Sequence, residues 1–359
     1  MRVSYESGSV RQATERMLER LTDAWRDASE PTELVGDMPV VRLGEVSERD
    51  FEQIHSTMST QVTLASLKAR AGNEILLHAG GVAHTDGGVA VIVGPSGRGK
   101  TTTTRFLARS YGYVSDETIA IKRDGEILPY RKPLSVIQEG HNDKLQIAPS
   151  DLGLLPLPDA KLHLSGIAML ERAENGELAS KVTSIGLARG LAAIVEQSSY
   201  LVELDRPLAA ICELVAPLGG IKLLTVGEPS RIHEVAEQLF QSGASPYWQS
   251  VMPASQVAKQ SPSAAYLPAP ICDAVECEDG TIVFTQSRKA VVLTGIGPQL
   301  WRGACLGESW DQLTARIESA YGPAPTEESR AVIRKFAEEL IEIGVLAEAT
   351  IDDSWASHE

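Results

Sequence analysis

The residues of this chain best suited to chemistry are Gly94-Pro95-Ser96-Gly97-Arg98-Gly99-Lys100-Thr101, which fit the pattern G-x-x-x-x-G-K-[ST]. That spacing suits phosphate. Glycine at 94, 97 and 99 leaves the backbone free to turn successive N–H groups inward, at the positive end of the helix that should follow. The expected cradle comprises Gly94, Ser96, Gly97, Arg98, Gly99, Lys100, Thr101 and Thr102. In it the Lys100 ammonium meets the β- and γ-phosphates, and the Thr101 hydroxyl is a ligand to magnesium. A nucleoside triphosphate is the expected ligand.

Transfer of a phosphoryl group asks for more than a cradle: a further metal holder and a group that takes the nucleophile's proton. Asp116 and Glu117, directly after the apolar Tyr113-Val114-Ser115, are the candidates. If that segment is a strand parallel to the one feeding the loop, both carboxylates open on the sheet edge where the phosphates lie. One can then hold Mg²⁺ and the other act as base, although adjacent carboxylates at a strand end can also simply cap a turn. His78, in Ile75-Leu76-Leu77-His78, is a third candidate, weighed against the commoner role of a hydrogen-bonded core histidine.

The elements that must position these groups follow from pattern. Val89 to Val93 reads as a buried strand, and Thr101 to Arg109 as the helix behind the loop. Ahead of them, Glu74 to His78 and Gly81 to Ala83 read as strands, the second joined to Val89 to Val93 by the turn Thr85-Asp86-Gly87-Gly88. Ile119 to Ile121 and the stretch to Leu128 suggest a hairpin through Asp124-Gly125. The order implies a mixed sheet with at least one parallel pair. Upstream, Val10 to Ala28 has an amphipathic helical pattern, Val40-Val41 a short strand, and Val62 to Ala71 a helix. Downstream, Leu162 to Glu171 and Ile221 to Val226 look like strands, and Ser230 to Phe240 like a helix capped by Ser230.

Composition narrows the setting. The chain of 359 residues is 43% apolar and 23% charged, ordinary values for a soluble protein of two domains. A formal charge of −15, with no Lys/Arg-rich run, argues against nucleic acid or an anionic membrane as partner. The charged start and the lack of a long apolar stretch predict a cytoplasmic protein. Cys212, Cys272, Cys277 and Cys305 have no C-x-x-C spacing, which speaks against a zinc site or a disulfide framework.

Taken in order, Leu77-His78-Ala79, Gly88 to Thr101 and Tyr113-Val114-Ser115-Asp116-Glu117 resemble the catalytic core of the HPr kinase/phosphorylase family, over about forty residues. The resemblance implies an α/β fold with the mixed sheet of the P-loop kinases related to phosphoenolpyruvate carboxykinase, use of Mg·ATP, and phosphorylation of a protein serine. It places Asp116 on the general base, His78 on the active-site histidine, Lys100 on the phosphates, and Thr101 and Glu117 at the metal. The family's E-I-R-G-L-G-type segment has no counterpart after residue 130. HPr kinases form hexamers, so a homo-oligomer is among the expectations.

A second resemblance covers Ile271 to Leu346: Asp279-Gly280 in a hairpin, Gly295-Ile296-Gly297 before Leu300-Trp301, Leu313, Tyr321-Gly322 and Ile343-Gly344-Val345-Leu346 are similar to a PqqD-like peptide-binding domain. That implies a small α+β, winged-helix-like domain that captures a peptide as an added strand. The expected division is therefore 1–72 as an extension packed on the kinase domain, 73–256 as that domain, 257–270 as linker, 271–348 as the peptide-binding domain and 349–359 as tail. The combined expectation is a serine kinase acting on a peptide or small protein in the making of modified peptides. Two other readings stay open: a nucleotide-dependent peptide-binding module, and a kinase of a small-molecule hydroxyl.

Overall fold

The computed structural model describes residues 2–5, 11–28, 40–43, 51–137, 144–174, 177–252, 263–322 and 329–349. The chain divides into two compact units that are not contiguous in sequence: residues 1–184, 197–204 and 221–243 form the first, and 185–196, 205–220 and 244–359 the second. The expected single division within 257–270 differs from this pattern, and residues 257–262 of that stretch lie outside the described residues.

In the first unit the order is β1 (Arg2–Tyr5), α1 (Arg11–Ala24), β2 (Val40–Leu43), α2 (Phe51–Arg70), β3 (Ile75–Leu77), β4 (Ala79–Ala83), β5 (Gly88–Val93), α3 (Lys100–Leu107), β6 (Gly112–Ser115), β7 (Ile119–Ile121), β8 (Ile127–Leu128), β9 (Leu134–Ile137), β10 (Lys144–Ile147), β11 (His163–Arg172), β12 (Lys181–Ser184), β13 (Ser198–Ser199) and β14 (Ile221–Val226). Six of the strands form a mixed sheet in the order β12-β14-β11-β5-β4-β6. In it β11 is parallel to both β5 and β14, and β4 is antiparallel to both neighbours. Strand β6 thus runs in the same direction as β5, as expected, but β4 lies between them. A second, antiparallel sheet has the order β13-β3-β7-β8.

Two of the passages between these sheets are very short, from β3 to β4 and from β6 to β7, and their connecting residues are His78 and Asp116-Glu117-Thr118. Register fixes where they lie: Ala79 is opposite Val93 and Gly81 opposite Ser115, so both passages sit at the sheet edge where β5 ends. Small residues permit the packing there. A Cβ at Gly80 would lie 2.1 Å from Thr104 Oγ1 of α3. Below this edge the core includes Val82, Ile92, Leu107, Tyr113, Ala168 and Leu224, all buried.

Helix α2 begins at Phe51, eleven residues before the start expected at Val62. Its first half is rich in Ser and Thr and hence weak in propensity, but Phe51, His55, Met58 and Val62 recur at helical spacing and are buried, the three apolar ones packing with Met17 and Leu21 of α1. The helix expected over 230–240 is instead two 3₁₀ segments, Pro229–Glu234 and Ala236–Leu239. Its bonds are i to i+3, such as Arg231 N–H to Glu228 O, and the Lys222 ammonium takes the carbonyls of Leu239 and Gln241. Glu228 occupies the N-cap position, where Ser230 was expected.

The second unit contains α4 (Leu187–Glu196), α5 (Pro207–Val215), β15 (Trp248–Ser250), β16 (Tyr266–Pro268), β17 (Ile271–Cys277), β18 (Gly280–Thr285), β19 (Ala290–Leu293), α6 (Gly297–Leu306), α7 (Trp310–Tyr321), α8 (Ser329–Ile343) and β20 (Leu346–Glu348). The expected hairpin through Asp279-Gly280 is present, three helices and the short strand β20 follow it, and β15-β17-β18-β19 is an antiparallel sheet. Gly344 ends α8 at φ +84°. Helices α4 and α5 join this unit through two aspartates. Asp279 accepts from the backbone N–H groups of Ala188 and Arg189, and the buried Asp273 from that of Ala209, so each carboxylate caps a helix distant in sequence. Among the described residues of the whole chain, no helix is long and apolar enough to cross a membrane.

Candidate functional site

Gly97 and Gly99 adopt φ of +79° and +100°, in the left-handed region that favours glycine, and carry the chain from β5 around into α3. Pro95 to Arg98 are exposed, and nothing lies within 4 Å of a Cβ added at Gly97. Lys100 opens α3 and is buried, its ammonium donating to the carbonyls of Gly94 and Pro95. Burial pulls its pKa down while the Asp116 carboxylate opposes that shift. Thr101 and Thr102 follow in the first turn of the helix.

Ser115 shapes the far end of β6, its hydroxyl accepting from the N–H groups of Glu117 and Thr118 and turning the chain sharply after Asp116. Asp116 is buried and its Oδ1 accepts a 2.9 Å hydrogen bond from the Tyr113 hydroxyl, whose own pKa burial and that carboxylate push well up. His78 Nδ1 is 3.0 Å from the Glu117 carbonyl oxygen. A carbonyl only accepts, so Nδ1 carries the hydrogen and Nε2 presents its lone pair. Burial, and then the Lys100 charge, hold the His78 pKa below its ordinary value, which keeps the imidazole neutral near pH 7.

The structure therefore brings Lys100, Asp116 and His78 within electrostatic reach of one another at one edge, with Glu117 beside them. The Glu117 carboxylate is engaged otherwise than the sequence reading expects. Its Oε2 lies 2.9 Å from the ammonium of Lys132, a buried lysine that also donates to Pro133 O. Among the described residues there is no cluster of three or more metal-ligating side chains. A magnesium ion here would depend mainly on Thr101 and on phosphate oxygens, a division that suits this strongly hydrated ion.

Two residues at this edge escape motif reading. Lys132 belongs to no pattern, although the run Arg131-Lys132-Pro133 after an apolar strand places cations close to Asp116-Glu117. Arg172 is the other. It ends β11, whose Met169 is paired with Val93, so the strand continues past the start of the loop. Its guanidinium Nε is 3.9 Å from the position of a Cβ on Gly99. The signal is register, visible only once β11 is known to lie parallel to β5.

No protein-family model matches the sequence, and no curated protein matches it. Among solved structures, the HPr(Ser) kinase/phosphatase from Coxiella burnetii is similar over 31% of this chain and 77% of its own, at 15% identity and a TM-score of 0.20. It is a weak neighbour.

Proposed function

We propose that this chain is a cytoplasmic kinase that binds Mg·ATP and transfers the γ-phosphoryl group to a hydroxyl, that of a serine, on a peptide or small protein. The observation that carries the reading is the convergence of a complete phosphate loop, a buried aspartate and a neutral histidine on one sheet edge. In the transfer the acceptor oxygen forms a bond to the γ-phosphorus, the bond from that phosphorus to the β–γ bridging oxygen breaks, and ADP leaves. The hydroxyl proton passes to Asp116. Tyr113 holds Asp116 through Oδ1, and the neutral His78 imidazole lies within electrostatic reach of the carboxylate. Lys100 exchanges the loop carbonyls for phosphate oxygens, and the N–H groups of residues 97–102 face the charge that develops. Thr101 would hold magnesium, which would supply charge neutralisation on the phosphates.

The PqqD-like reading of residues 271–348 gives the second unit the task of holding the peptide, by strand addition at an edge of the β15-β17-β18-β19 sheet. The test is mass spectrometry of candidate precursor peptides after incubation with the full chain, Mg²⁺ and γ-labelled ATP. Label on serine, absent with Lys100→Ala and reduced about 10²-fold or more with Asp116→Asn, is the expected result. ATP binding without transfer to any peptide would overturn it.

A further inference from the structure

A cavity of about 200 Å³ lies between α2 and the two strand passages, with Thr60, Thr63 and Leu64 on one wall and His78, Glu117 and Ser199 on the other. We infer that this cavity is the acceptor subsite, and that it takes the serine or threonine side chain of a peptide. The inference rests on the phosphotransfer reading above and names the substrate class for the same site.

Position, charge and size support it. His78 is shared between the cavity wall and the charged edge, where it senses both Lys100 and Asp116. Glu117 and Thr118, which also line the cavity, directly follow Asp116 in the chain, so the cavity adjoins the segment that carries the base. The one carboxylate in the wall, Glu117, is neutralised by buried Lys132, so the lining suits an uncharged group rather than an anion or an amine. Threonine and serine hydroxyls with three leucines match a short, half-polar side chain. The volume falls below the range of roughly 300–1,000 Å³ typical of pockets that enclose a whole small ligand. It accommodates one side chain whose backbone stays outside.

Helix α2 gains a function by this reading. It is held in place from behind, because the Tyr130 hydroxyl meets Thr63 Oγ1 at 2.9 Å while Thr63 donates to Ser59 O. Leu64 points outward at 57% exposure, so its replacement should leave the fold intact.

The experiment uses the full chain, Mg²⁺ and γ-labelled ATP with a library of nonapeptides bearing one central serine, alongside free serine and glycerol. Leu64→Glu should raise the apparent KM for the best peptide about tenfold or more with the nucleotide Kd unchanged, and Leu64→Met should restore it. Transfer by the wild-type chain with a peptide KM unaltered in Leu64→Glu would overturn the subsite alone. Labelling of free serine or glycerol in preference to every peptide would overturn the peptide as occupant. No transfer to any acceptor, or transfer undiminished by Asp116→Asn, would overturn the kinase reading and this inference with it.

Discussion

Arg172 is the residue whose placement most changes the picture of the phosphate loop. An exposed guanidinium beside Gly99 would, under the proposed function, add a bidentate phosphate donor to a loop whose only buried cation is Lys100. Arg172→Ala should weaken ATP binding or lower kcat by about 10-fold or more, and Arg172→Lys should recover only part of the loss; isothermal titration with ATP and steady-state kinetics separate the two effects. An unchanged Kd and kcat would remove Arg172 from the site. The loop residues and Asp116 stand out as candidates in sequence because the loop pattern and the strand-end carboxylate each lie within a few neighbouring positions. Arg172 and Lys132 are not, since each reaches the edge through strand pairing or burial that no local pattern encodes.

At the scale of elements, α3 is seated on β4 by the absence of a side chain. Gly80→Ala should force Thr104 aside, costing about 1–3 kcal/mol in a urea melt. Because Thr104 Oγ1 is buried without a hydrogen-bond partner, Thr104→Ala should relieve that cost in the double variant. Helices α1 and α2 are joined by a different device. The Trp25 indole N–H donates to His55 Nε2 at 3.0 Å, and burial, with the Arg20 charge, brings the His55 pKa down from 6.5 to about 4. The folded state resists protonation that the unfolded chain accepts, so this contribution to stability is full above pH 6.5 and is lost progressively as pH falls toward 4. At about 1.4 kcal/mol per pH unit it amounts to roughly 3 kcal/mol, and denaturant melts of His55→Gln between pH 7 and 4 should show a correspondingly flatter decline. The hairpin around Asp86-Gly87 and the strand-loop-helix were legible from turn chemistry and apolar runs. The early start of α2 was not, because its Ser- and Thr-rich half is helical through contacts with α1 that lie far away in sequence.

For the whole molecule, the decisive feature is that neither unit is one stretch of chain. A chain ended at residue 256 retains α4 and α5 but lacks Asp279 and Asp273, which cap their first turns. It should aggregate or lose those helices, measurable by size-exclusion chromatography and hydrogen exchange, whereas a modular C-terminal domain would leave the remainder monodisperse. The boundary was hidden from sequence because both caps join residues about ninety and sixty positions apart. The interleaving also bears on inheritance. A gene fusion that joins a binding module to a kinase at a single seam can later be exchanged at that seam. Here a recombination event would have to carry three separate segments to transplant either unit whole. Specificity in this lineage is thus expected to change by point substitution within the units rather than by shuffling them.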